Sequence, residues 1–354
     1  MVDLMNWAGI YDTIEGFLSG LGLSFIIPLT LYAIAALILF GFVAALVLVT
    51  TYLERKILSD IQVRLGPMET GGRRFHGILQ PVADGIKLLQ KEDIMPKNRD
   101  KLPYYLAPLV VFVPVFVIMG LIPLGFIPLD IASLNKNLLV AADLDIGILA
   151  ILALAVIPTL GAVMAGWSSR NKFTTLAMLR SVAQGISYEI PFVLAALAVV
   201  LAAGSMNLSE IVKAQSGLWF IFLMPIGFIV FFMAALAEIH RIPFDVDEAE
   251  NELVSGVIVE YSGMRFAFFY LAAYAELFIA AALITILFLG GWAGPVLPGV
   301  MWFFIKCFVI IYVIIWMRGT LPRVRIDQML AVGWKVMLPL ALLNLLITSS
   351  ILML

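Results

Sequence analysis

Charge is scarce in this sequence: 13% of its 354 residues are charged, 63% are hydrophobic, and the mean hydropathy is +1.07. Soluble domains carry about 25% charged and 45–50% apolar residues, so a water-soluble enzyme is excluded. Cysteine is nearly absent. The single Cys307 rules out a disulfide framework and a thiolate-held iron–sulfur cluster within the chain. Histidine is limited to His76 and His240, both in polar stretches, which excludes paired axial haem ligation inside a bilayer. The net charge of −2 offers nothing to attract nucleic acid. Lys and Arg are missing from the first 24 residues, so no cleavable signal is expected.

Long apolar runs take the place of these missing groups. They lie at about 25–53, 104–124, 146–166, 186–204, 218–238, 266–290, 300–317 and 336–354, and each suits one membrane-crossing helix. The expected fold class is therefore all-α, a polytopic integral membrane protein of about eight transmembrane helices forming one domain over 1–354. Cytoplasmic loops are expected at about 54–103, 167–185, 239–265 and 318–335. Those four stretches hold 19 of the 22 basic residues. Eight spans put both termini on the same side, and positive residues stay on the side of synthesis, so both termini are expected to face the periplasm or its equivalent. The expected location is the cell inner (plasma) membrane.

Within the first loop, ILQPVADGIKLLQKED predicts an interfacial amphipathic helix. Pro81 suits a first turn, and Ile78, Val82, Ile86 and Leu89 recur at helical spacing opposite Asp84, Lys87 and Lys91.

Ionisable residues inside a bilayer are costly, so they pair or function. Glu276 lies near the middle of the sixth run and Lys306 within the seventh. The two are expected to pair, or Glu276 titrates in a proton path. Glu54, Glu189 and Glu238 sit at the ends of runs, where an interfacial anchor is the competing explanation for Glu54 and Glu238. The densest constellation is AEIHRIPFDVDEAENELVSGVIVEYSG, residues 237–263. After Pro243, Asp245 and Glu248 have capping-box spacing. A helix running on from there would align Glu248, Glu252 and Glu260, crowded by Asp247 and Glu250, with Arg241 as a local counter-charge. Clustered carboxylates beside a membrane suit a proton relay. A solvated acidic helix end is the plainer alternative.

Five strings, AEIHRIPFDVDEAENELVSG, ERKILSDIQVRLGP, LQPVADGIKLLQKED, LRSVAQGISYE and RGTLPRVRIDQ, together resemble the H-type membrane subunit of respiratory complex I, in order from about residue 50 onward. The resemblance implies a non-redox-centre subunit of a proton-pumping NADH-quinone oxidoreductase, not catalytic alone, that forms much of the quinone chamber. Quinone is then the substrate, with no metal or iron–sulfur cluster in this chain. The implied partners are a peripheral iron–sulfur arm on the cytoplasmic side, antiporter-like membrane subunits and lipid. It also implies that Arg55, Asp84, Lys87 and Arg241 line the quinone cavity. Glu189, Glu238, Glu248, Glu250 and Glu252 would form an acidic funnel into the membrane, and Glu260, Glu276 and Lys306 are expected to extend that proton path.

Three departures from the family pattern stand out. METGGRRFHG is longer by about three residues and lacks a proline. Ala273-Tyr274 replaces a Glu-Tyr pair, with Glu276 three residues on. SSRNKF carries Arg170 and ends in Phe173 in place of tyrosine. Two rival readings share these features. A membrane anchor of a proton-pumping hydrogenase or ferredoxin-linked complex would carry part of the motif set, whereas the full loop set favours complex I. A stand-alone proton-coupled transporter would use the carboxylates and Lys306, but long polar loops on one face suit docking better than alternating access.

Overall fold

A computed structural model describes residues 26–71, 76–125, 143–295 and 297–353. By packing, the chain divides into Met1–Ala45, described from residue 26, and Leu46–Leu354. The first unit contributes the opening part of α1 (Ile26–Ile61), which is apolar throughout. The packing and the site described below belong to the second unit.

That unit is a helical bundle. After the end of α1 come α2 (Gln80–Gln90), α3 (Lys101–Leu121), α4 (Gly147–Ala155), α5 (Ile157–Ser168), α6 (Lys172–Ala203), α7 (Leu208–Ala214) and α8 (Phe220–Leu223). They are followed by α9 (Pro225–Glu238), α10 (Glu250–Leu253), α11 (Gly263–Phe288), α12 (Gly299–Thr320), α13 (Ile326–Val332) and α14 (Leu338–Met353). No strand occurs among the described residues. Seven helices among them are long and apolar enough to cross a membrane, and their outward faces carry exposed Leu, Ile, Val and Phe. The chain is a multi-pass α-helical membrane protein.

The expected run at 218–238 is not one long helix. It breaks at Met224, and the α9 that follows is only 14 residues long. Pro225 supplies the reason, since it has no N–H to continue the preceding helix and fits the first turn of the next. The expected loop at 167–185 is mostly helix, because α6 starts at Lys172, where the Asn171 side chain accepts from the Phe173 amide at 3.1 Å.

Helix α11 is the central element, with 83% of its apolar window buried. Phe112 of α3 lies 5.5 Å from Phe268 of α11, and Phe192 of α6 stacks on Phe231 of α9 at 4.6 Å. Phe231 in turn meets Phe288 at 5.5 Å. Helices α3 and α5 approach closely at Gly161, where a Cβ would stand 2.4 Å from Val111. Without hydrophobic drive between helices in lipid, such small-residue contacts are a main source of packing energy.

The amphipathic α2 forms as expected, with Pro81 and Asp84 turned toward the protein and Lys87 and Lys91 exposed. Pro81 is buried and Asp84 half-buried, while Ile78, Val82, Ile86 and Leu89 are exposed. An apolar stripe uncovered by its own chain suits a helix lying in the membrane plane.

Candidate functional site

Three elements converge at one end of the bundle: the end of α9 with the loop after it, α11, and the end of α12. Between them and α3, α5 and α6 lies a cavity of about 350 Å³. One part of its wall is apolar, with Val115, Phe192, Phe269 and Leu283. The other carries Glu238, His240, Arg241, Asp245, Asp247, Glu248, Tyr270, Tyr274, Glu276 and Arg318. A cavity of a few hundred Å³ with apolar walls and a few convergent polar groups is the usual form of a small-molecule site.

The loop that supplies the acids is held by specific local chemistry. Pro243 accepts from the Val324 amide at 3.0 Å, and Arg323 grips Asp245 at 2.8 Å, tying the loop to the segment after α12. Phe244 packs on Tyr188 at 5.1 Å. Gly256 adopts φ +61, and a Cβ there would sit 2.3 Å from the Asp247 carbonyl oxygen, so only glycine lets the chain close over the acidic turn.

Glu54 is 4% exposed and accepts from both Arg241, at 3.2 Å, and Arg318. Arg241 also lies 4.7 Å from the Tyr274 ring. The ion pair of Arg241 is thus with Glu54 on α1, while its charge also acts, as expected, on the neighbouring Asp245 and Glu248. Glu54 is a buried ionic partner and not an interfacial anchor.

The acidic groups of the loop differ in their electrostatics. Burial raises the Asp245 carboxyl, with Arg323 opposing. Desolvation and the neighbouring Asp247 and Asp245 raise Glu248 to about 7, although the residue is exposed at the surface of the chain. Burial of the His240 ring works against its charge, yet Asp247 at 3.2 Å, with Glu238 and Glu276, outweighs it and lifts the imidazole to about 10. Glu238, His240 and Glu276 interact electrostatically, and Glu189 on α6 lies within reach of Glu238 without lining the cavity.

Several expected residues fall elsewhere. No helix runs from Asp245 to Glu260: α10 is a single turn, and positive φ at Val254 and Gly256 stops it. The carboxylates therefore diverge. Glu248 lines the cavity, Glu252 pairs with Arg180 at 2.5 Å on the exposed side, and Glu260 accepts from Asn171 at 2.7 Å. The Glu250 side chain lies outside the described residues. Asp245 binds Arg323 and caps nothing.

Lys306 does not pair with Glu276. Its ammonium donates to the carbonyls of Leu289, Gly291 and Ala293 at 2.7, 3.0 and 2.7 Å and lies 4.6 Å from the Trp219 ring. It satisfies the carbonyls of the turn after α11, where a cation is favoured by the helix C-terminus.

Arg55 binds Asp84 at 2.6 Å and interacts with Tyr270, which lines the cavity. Lys87 is exposed and does not line the cavity. Among the departures, Ala273 lines the cavity beside Glu276 and Arg170 closes an ion pair on Asp100 at 2.6 Å. The lengthened loop falls partly at 72–75, outside the described residues.

The contributions of His240, Glu54 and Arg318 were not legible as site chemistry in the sequence. The one local signal was His240 standing beside Arg241 in AEIHRIPFD. Among the described residues no group of three His, Cys, Asp or Glu is placed to hold a metal ion.

Comparison with known proteins identifies the family. A family model described as NADH dehydrogenase matches residues 34–349. A relative from Geobacillus thermodenitrificans (strain NG80-2), the H subunit of an NADH-quinone oxidoreductase by name, is 49% identical over 324 residues, covering 90% of this chain and 92% of its own. The protein of the same name from Dehalococcoides mccartyi (strain CBDB1) is 49% identical over 312 residues, 88% of this chain and 84% of its own. That of Geobacillus sp. (strain WCH70) is 45% identical over 356 residues, 99% of this chain and 98% of its own. Matches of this extent span the helices, the acidic loop and the cavity alike, and the chain belongs to the NADH dehydrogenase family that includes the H subunits of NADH-quinone oxidoreductases.

Proposed function

We propose that the chain is the membrane subunit of a proton-pumping NADH-quinone oxidoreductase, respiratory complex I, and that it contributes the quinone-binding chamber. It lies in the cell inner membrane as a single domain with both termini periplasmic. It acts only with partners: an iron–sulfur arm on the cytoplasmic side that delivers electrons, and antiporter-like subunits in the membrane. The observation that carries this reading is the cavity, which joins an apolar wall to Glu238, His240, Glu248 and Glu276.

A quinone that takes up two electrons also takes up two protons, and it brings an apolar tail. Its site needs an apolar wall and titratable groups within reach of the head. Arg241 and the Arg55–Asp84 pair orient the head group, Arg55 acting through Tyr270. Negative charge arriving on the quinone raises the proton affinity of nearby carboxylates, and release of quinol lowers it again. Glu248, Glu238 and Glu276 pass that change inward, with Glu189 next along α6. Lys87, Glu252 and Glu260 serve the surface and the loop, and Lys306 serves the fold.

Purification of the tagged chain in mild detergent tests this reading. Co-purification of an iron–sulfur arm with inhibitor-sensitive quinone reductase activity is expected. A nickel hydrogenase partner without quinone activity would overturn it in favour of the hydrogenase-anchor reading.

A further inference from the structure

The cavity holds one ionisable side chain that is neither a carboxylate, a phenol nor a permanent cation. Arg241 and Arg318 commit their guanidinium groups to Glu54, and guanidinium is a poor proton carrier. They can steer charge but cannot hand on a proton. His240 can do both, because imidazole accepts at one nitrogen and donates at the other.

Its setting is unusual. His240 lies two residues after α9 with φ +51, a left-handed conformation in which histidine, like asparagine and aspartate, is enriched among non-glycine residues. That backbone turns the segment two residues beyond Glu238. The ring Nδ1 stands 3.2 Å from Asp247 Oδ2, and the Asp247 side chain is only 5% exposed. Helix α11 brings Glu276 within electrostatic reach of the same ring, and Glu248 lies on the loop side. The remaining charged and titratable groups around it are Asp245 on the loop, Tyr270 and Tyr274 on α11, and the two arginines on Glu54. His240 therefore shares the cavity with two sets of carboxylates and interacts with both: Asp247, at 3.2 Å, and Glu248 on the loop, and Glu238 and Glu276 on the helices.

We propose that His240, paired with Asp247, is a proton-transfer residue that links the loop carboxylates to Glu238 and Glu276. In the forward step an imidazolium N–H bond breaks and an O–H bond forms on Glu276 or Glu238, leaving neutral imidazole. A proton arriving at Asp247 or Glu248 then passes to the ring and re-forms the N–H bond. One proton enters and one leaves, with no electron transferred. Asp247 stabilises the charged ring between steps, as its effect on the imidazole indicates. This relay rests on the quinone-reductase reading of the cavity.

The test uses the assembled complex in proteoliposomes, with His240→Asn chosen because asparagine tolerates the left-handed backbone. Loss of a proton-transfer group lowers kcat roughly ten-fold or more while the KM for quinone stays near wild type. Asp247→Asn keeps the ring but removes its counter-charge, so the alkaline limb of the pH–rate profile moves about one pH unit or more toward acid. Wild-type kcat and proton-to-electron ratio in His240→Asn would overturn the proposal. If that variant fails to assemble, Asp247→Asn decides alone, and a pH profile superimposed on wild type overturns it. A wild-type complex with no quinone reductase activity would overturn the underlying reading together with the relay, whereas an active wild type with indifferent variants removes the relay only.

Discussion

Replacing Lys306 by methionine separates a structural lysine from a coupling one. Methionine keeps the length and apolar stem but removes the ammonium, which belongs to a residue 8% exposed and donates to three carbonyl oxygens. Leaving a buried acceptor unsatisfied costs about 1–3 kcal/mol. Three acceptors at the lower end of that range, allowing for some access to water, give about 3–5 kcal/mol. The assay is thermal unfolding of the purified complex, followed locally by accessibility of Cys307 to a thiol reagent. A fall in melting temperature of roughly 5 °C or more is expected, with normal turnover in the molecules that remain folded. A double-mutant cycle with Glu276→Gln discriminates more sharply. Groups without direct contact add to within about 0.5 kcal/mol, whereas an ion pair between them would leave a clear coupling energy. Coupling well above that limit would refute the assignment of Lys306 to the turn after α11.

Glu54→Gln strands Arg241 and Arg318 without a buried counter-charge; a loss of about 3–5 kcal/mol is expected, read as reduced yield of assembled complex. Gly161→Ala presses a methyl group against Val111, including its backbone nitrogen at 2.9 Å, and lowers stability by about 1–3 kcal/mol in the same unfolding assay. Glu248 is raised to about 7 in the folded protein, so between its ordinary value and 7 the native state binds more protons than the unfolded one. Stability contributed through this group falls as pH rises across that window, and Glu248→Gln flattens that part of the curve.

Much of the fold follows from one-dimensional patterns. The apolar runs mark the membrane helices because a bilayer demands long uninterrupted apolar segments, and α2 appears where Pro81 and its periodic residues place it. The break at Met224 was hidden because α8 and α9 are equally apolar; only Pro225 carried the signal. At the site, the acidic residues were legible as a cluster, but their directions were not. A continuous helix after Asp245 satisfies the local pattern, and only the closing of Gly256 on Asp247 scatters Glu248, Glu252 and Glu260 to different partners. The partnership of Glu54 with Arg241 spans 187 residues, a separation at which local spacing holds no information. Lys306 shows the same limit, since its partners are backbone carbonyls that no residue type announces.

In the proposed function the cavity carboxylates couple quinone reduction to proton movement. Glu276→Gln in the assembled complex, reconstituted in liposomes, tests it through the number of protons moved per electron at matched quinone turnover. A marked fall in that ratio with quinone binding retained is expected. An unchanged ratio at wild-type turnover would remove Glu276 from the coupling path.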